Sequence, residues 1–212
     1  MIQNTFLDQD IQEAYVGQEP VTLDDAKRHL RVDFDDDDLY ISALITASRQ
    51  AIEKFCSISL VAKTVTLTVQ ADEQQKSVFS QPFQVREQFN QFELPYGPVR
   101  SVSSVTSIDT DGMTILVCSL NSDYFLIGKS FQTIKISNNF SNNILVYTVG
   151  YGPDAGATPV PPQLWLAILN ELAYRYESRG EPQNIRATAF TEEGVSQAAR
   201  VLAQPFRRLT FI

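Results

Sequence analysis

The chain is predicted to be an α+β protein. Helices at about 22–32, 36–57, 161–179 and 195–203 form a helical bundle, and an antiparallel β module is inserted between the second and third of them. Three observations carry this. Ile41, Leu44, Ile45, Ser48, Ala51, Ile52 and Phe55 recur at the 3-4-3-4 spacing of one buried helical stripe. From Lys63 the period drops to two, with Thr64-Val65-Thr66-Leu67-Thr68-Val69 alternating polar and apolar as a half-buried strand does. Beyond Gly152-Pro153, the apolar residues of 164–176 return to helical spacing.

Each element has a local reason. Residues 1–19 carry few periodic apolar positions and are read as an arm. Thr22 caps the first helix, Asp25 follows three residues later, and Asp24 and Asp25 place negative charge at the positive end of the helix dipole. Leu23, Ala26, Leu30 and Val32 supply its apolar side. The run Asp35 to Asp38 opens the second helix on the same grounds. In the middle of the chain, Leu94-Pro95-Tyr96-Gly97-Pro98 is a turn, and Asp109-Thr110-Asp111-Gly112 is a hairpin signal because Asp-Gly tolerates positive φ. Phe83 and Val85, Phe89 to Leu94, Val99 to Ile108, Met113 to Cys118, Tyr124 to Ile127, Phe131 to Ile136 and Ile144 to Val149 read as strands. Pro161 and Pro162 suit a first helical turn, where their missing N–H groups cost nothing. Leu164, Ala167, Ile168, Glu171, Leu172 and Arg175 line one side of that helix, and Trp165, Leu169 and Tyr176 widen the arc. An arc this wide predicts burial on more than one side, or a face turned to a partner. Gly180 and Pro182 end it. Residues 181–194 lack periodicity and read as mobile, and the tail FRRLTFI is apolar and basic. The expected domains are therefore an arm and helical hairpin over 1–60, a β module over 61–152, and a long helix with docking tail over 153–212 that packs with 20–60.

Composition narrows the function. With 43% hydrophobic and 20% charged residues, the chain has globular proportions. Cys56 and Cys118 are its only cysteines, too few for a disulfide framework, and both read as small apolar fillers. No apolar run approaches a membrane span, and MIQNTFLDQD lacks the basic start and apolar core of a signal peptide. Net charge is −8, unevenly placed: residues 1–40 hold eleven acids against three bases, while 175–212 hold four acids against six arginines. Such a chain does not grip nucleic acid along its length.

Catalytic and metal chemistry have little to work with. His29 is the single histidine and reads as an exposed helix residue. No phosphate loop, dinucleotide fingerprint, HExxH or GxSxG pattern occurs. Asp33, Asp35 and Asp37 fit positions one, three and five of a calcium loop, but Asp38 stands where glycine is needed and Leu44 where the bidentate glutamate is needed. No pair of carboxylates is singled out for hydrolysis. The expectation is a protein that is not an enzyme, with no catalytic residue, no metal and no cofactor.

One resemblance gives these features a context. Leu23, Ala26, Lys27, Leu30, Arg31, the acids from Asp33 to Asp38, and Phe55 resemble the opening of the head-to-tail connector (neck adaptor) proteins of tailed bacteriophages. Val160-Pro161-Pro162 with Tyr176, Glu177 and Arg179 resembles the family's second long helix, and Val201-Leu202-Ala203-Gln204-Pro205-Phe206-Arg207 its ending. Leu94-Pro95, Pro98-Val99, Ser101-Val102, Ser104-Val105, Asp109 to Gly112, Tyr124 and Tyr147 to Gly152 echo larger relatives. The resemblance implies a connector-type bundle and a structural virion protein. It also implies a homo-oligomeric, dodecameric ring in the neck, at the head-tail junction, assembled in the host cytoplasm. Its partners would be the portal protein and the tail or a second neck protein; DNA would pass without sequence-specific binding, and no membrane would be involved. In such a ring the acidic hairpin of one subunit would meet the basic C-terminal segment of the next. The candidate subunit or portal interface is Asp35, Asp36, Asp37, Asp38, Trp165, Tyr176, Arg179, Phe206, Arg207, Arg208 and Phe211. The alternative is a β-module virion protein binding a ligand or glycan through Phe83, Phe89, Phe92, Tyr96, Tyr124 and Phe125.

Overall fold

Thr22 starts the first helix as its chemistry dictates. Its Oγ1 accepts the Asp25 N–H at 3.1 Å and donates to Asp25 Oδ2 at 2.7 Å. The computed structural model describes residues 8–15, 17–70, 90–108, 115–129, 132–136, 142–152, 158–179 and 194–208. Two compact units are present, a helical one from 17–61 and 151–211, and a β unit from 1–16 and 62–150.

In the helical unit, α1 (Leu23–Leu30) stops where Arg31 takes a left-handed conformation, and α2 (Asp38–Cys56) stops at Ser57 in the same way. Helix α3 spans Pro162–Glu177 and α4 spans Gln197–Ala203, followed by a 3-10 turn over Gln204–Phe206. Each helix falls within its expected range and is shorter than it by two or three residues in all. The core joins Ala26, Ile41, Ile45, Ile52, Phe55 and Cys56 to Leu164, Ala167, Ile168, Leu169, Leu172, Ala199 and Ala203. At about 25 cal/mol per Å² of apolar surface, this burial is the main force holding the unit together.

Two polar devices sit inside that core. Glu53 is buried and accepts the Leu60 N–H at 2.6 Å and Arg49 Nη1 at 2.6 Å. Arg49 Nε also reaches Glu19 at 2.8 Å. Glu171, fully buried, accepts the Ser196 N–H at 2.8 Å and Arg175 Nε at 2.7 Å, so it ties the start of α4 to α3.

The β unit has eight strands: β1 (Asp8–Tyr15), β2 (Lys63–Gln70), β3 (Asn90–Glu93), β4 (Val99–Ile108), β5 (Ile115–Val117), β6 (Tyr124–Ile127), β7 (Thr133–Ile136) and β8 (Asn142–Val149). They form two antiparallel sheets, a five-stranded one in the order β1-β2-β8-β4-β5 and a three-stranded one in the order β3-β7-β6. Val65, Leu67, Leu145, Tyr147 and Val149 of the larger sheet share one core with Tyr124, Ile134 and Ile136 of the smaller.

The N-terminal segment departs from the sequence reading. Residues 8–15, read as part of an arm, are an edge strand in register with Lys63–Gln70. Lys63 fastens it: its buried Nζ meets Glu13 at 3.2 Å and lies 4.9 Å and 5.0 Å from the ring centres of Tyr15 and Tyr96. A strand this polar is legible only through its partner. The Asp109–Gly112 turn, Phe83, Val85, Phe89, and 181–193 of the segment read as mobile lie outside the described residues.

Candidate functional site

The acidic run between α1 and α2 is held by three groups from elsewhere in the helical unit, through four bonds. Lys27 Nζ donates to Asp35 Oδ1 at 2.6 Å and to Asp38 Oδ1 at 2.7 Å. Asp37 Oδ2 accepts from Tyr176 Oη at 2.5 Å and from Arg179 Nη1 at 2.7 Å. Asp37 is the N-cap of α2 in position but makes no side-chain capping bond. Its carboxylate is committed to the end of α3 instead. Around this latch, the Tyr40 and Tyr176 rings lie 6.2 Å apart, and the Arg179 guanidinium lies 4.4 Å from the Tyr176 ring centre.

The charges follow from these contacts. Hydrogen bonds from Tyr176 and then Arg179 hold the Asp37 carboxyl below its usual range, and Lys27 does the same for Asp35. The Asp35 and Asp38 carboxylates raise the Lys27 ammonium. A carboxylate whose folded value is depressed stabilises the fold above its unfolded value, and this contribution is lost as pH falls through the folded value. The expected result is that Asp37→Ala lowers the melting temperature at neutral pH. Its difference from the parent should then shrink as the pH is taken below the ordinary carboxylate value of 3.8. Thermal unfolding across that range checks it, and a difference independent of pH would contradict the ionic part of the latch.

The other candidate residues are spread through the same unit. Trp165 and Phe206 are half-buried and pack against its core. The Arg207 guanidinium lies 5.0 Å from the Phe55 ring centre, and the Arg208 N–H donates to the Cys56 carbonyl at 2.9 Å. The tail thus docks at the C-terminal end of α2. Cys56 is buried there, its Sγ 3.5 Å from the Ala203 carbonyl, and burial pushes its thiol up to about 12. Asp36 is exposed, and Phe211 lies outside the described residues. The structure therefore brings Asp37, Tyr176 and Arg179 together and leaves Phe206, Arg207 and Arg208 at the other end of α2.

Sequence reasoning missed two apolar surfaces. Phe34, Leu39 and Tyr40 are 46%, 89% and 39% exposed beside the acidic run. In the β unit, Ile115, Leu116, Val117 and Leu120 are exposed on and after the edge strand β5. Both stretches break the buried period; an apolar residue out of phase with its helix stripe, as Leu39 is, was the available signal. Among the aromatics weighed for ligand binding, Tyr124 is buried in the β core and Tyr96 packs against it. Phe125 is exposed, while Phe83 and Phe89 lie outside the described residues. Among the described residues no group of His, Cys, Asp or Glu is arranged to hold a metal ion, and no helix is long and apolar enough to cross a membrane.

Residues 20–106, from the entry to α1 through most of β4, match the model of the phage gp6-like head-tail connector protein family. Over this segment the chain is similar to the head-tail connector family. No curated protein sequence matches this chain. Solved structures match its fold along nearly the whole length. A chain in the virion of a native gene transfer agent particle is similar with a TM-score of 0.64. A chain from the neck of the empty particle, computed with C6 symmetry, gives 0.63, and one from the neck of the native particle, computed with C12 symmetry, gives 0.60. Each is 17% identical, with 95% of this chain and 97% of that chain covered. The likeness of fold thus extends beyond the segment matched by the family, into both units.

Proposed function

We propose that this protein is a structural component of a virion neck, a head-to-tail connector. It forms a ring, of about twelve copies by the family resemblance, under the portal, joins the capsid to the tail and continues the DNA channel. The observation that carries this reading is the connector-family match over 20–106, joined to a fold likeness to neck chains that covers 95% of the protein. Its helices make a connector-type bundle that forms the ring wall. The β unit is where a second neck protein or the tail docks. The helical unit binds the portal. A net charge of −8 suits a channel wall past which DNA moves without adhering. The work is mechanical and needs no catalytic residue or cofactor.

A cyclic ring uses two different surfaces of each subunit. The acidic run Asp35–Asp38 and the basic tail with Arg207 and Arg208 are such a pair, and Trp165, Tyr176, Arg179, Phe206 and Phe211 belong to the same subunit or portal interface. Native mass spectrometry across a concentration series, alone and with the portal protein, tests the ring. About twelve copies are expected, and a monomer under both conditions overturns the reading. The Arg207→Glu/Arg208→Glu variant is expected to lose the ring while keeping its helical circular dichroism. Normal rings from that variant would remove the acid-to-base contact and leave the connector reading standing.

A further inference from the structure

We infer that the contact between neighbouring copies is centred on an apolar knob, Leu39 with Phe34 and Tyr40, seated against Val201 and Pro205 of the next copy. This rests on the ring reading and names the surface that makes the ring.

The two surfaces belong to one compact unit and lie toward opposite ends of α2. Leu39 is the second residue of α2 and Cys56 the last. They are separated by about 25 Å at 1.5 Å per residue. The Ala203 carbonyl and the Arg208 N–H both meet Cys56, so the end of α4 and the tail sit at the far end of that helix. One copy cannot bring Leu39 to its own Val201.

The surfaces match in chemistry. Leu39 is 89% exposed and Val201 63%, each on a helix whose other apolar residues are largely turned into the core. Leaving these two in water costs apolar surface with no gain inside the subunit. Each apolar centre has a charged rim of opposite sign. Residues 33–38 hold five aspartates, and Lys27 and Arg179 are the bases bound to them in the contacts above. Residues 194–208 hold Arg200, Arg207 and Arg208 and no acid, and each arginine keeps part of its surface exposed. An apolar centre inside a polar rim is the usual anatomy of a specific interface. Complementary charge fixes which end meets which. Because the two surfaces differ, the contact is head-to-tail and propagates around a ring.

The test uses the full chain, with Leu39→Asp and Val201→Asp made separately. Both side chains are exposed, so the circular dichroism and melting temperature of each variant are expected to match the parent. Ring assembly by native mass spectrometry is expected to shift to at least about tenfold higher concentration for each, because a carboxylate is forced into an apolar contact. Leu166→Asp, an exposed apolar position on α3, is expected to assemble as the parent does. Mixing the two variants gives the decisive reading. Each retains one intact surface, so the mixture is expected to form a species of one copy of each, which neither forms alone. Parent-like rings from either variant, or no mixed species, would overturn this contact while the parent's rings keep the connector reading. A parent chain that stays monomeric alone and with portal removes both together.

Discussion

Replacing Glu53 with alanine is expected to lower the stability of the helical unit by about 3–5 kcal/mol. The reason is what the substitution leaves behind. Arg49 is 3% exposed and would lose the nearer of its two carboxylates inside the core. The Leu60 N–H, held at 2.6 Å, would lose its acceptor at the point where the chain leaves α2. A buried charge that loses one of its carboxylate partners and a buried N–H that loses its acceptor are both costly. The double variant Arg49→Met/Glu53→Gln is expected to recover most of the loss. It removes the charge and keeps an oxygen for Leu60. Urea unfolding followed by Trp165 fluorescence measures both, since the single tryptophan reports on this unit. A single variant within about 1 kcal/mol of the parent would show that the ion pair is not desolvated.

Tyr147→Ala is expected to cost the β unit about 3–5 kcal/mol, as truncation of a buried aromatic residue does. Tyr147 is fully buried on β8, with β2 on one side and β4 on the other. The cavity would open where the two sheets share their core. Tyr147→Phe should cost about 1 kcal/mol, because it keeps the buried ring and gives up a hydroxyl whose bond to the Pro95 carbonyl is long, 3.4 Å. Hydrogen exchange of the β2 and β8 amides reads these losses strand by strand. Equal effects from the two substitutions would place the value of this residue in its hydroxyl, against the packing account.

The helices were legible because their signals are local. The Thr22 cap, the apolar stripe of α2 and the Pro-Pro entry to α3 are each written within a few residues, and each helix ends within a turn of where the sequence places it. The alternation of β2 was legible for the same reason. Strand β1 was not, because Asp8–Tyr15 is polar and takes its conformation from pairing with Lys63–Gln70. The candidate site was legible in part. The acidic run and the basic tail stand out by composition, but their roles depend on distance. The first meaning of Asp37 in the sequence is a helix cap; in the fold it is the acceptor for Tyr176 and Arg179, 139 and 142 residues away.

The sequence alone determined the α+β class, the four helices, the alternation of the central strands and the connector resemblance, since these rest on short-range periodicity, capping and motif order. Only the tertiary structure decided that residues 8–15 complete a sheet and that most of the aspartates at the α1–α2 turn are spent on partners within the chain. It also decided that Leu39 and Val201 stay in water at opposite ends of α2. The physical reason is that pairing, desolvation and exposure depend on which distant groups are brought together, and no local pattern records that.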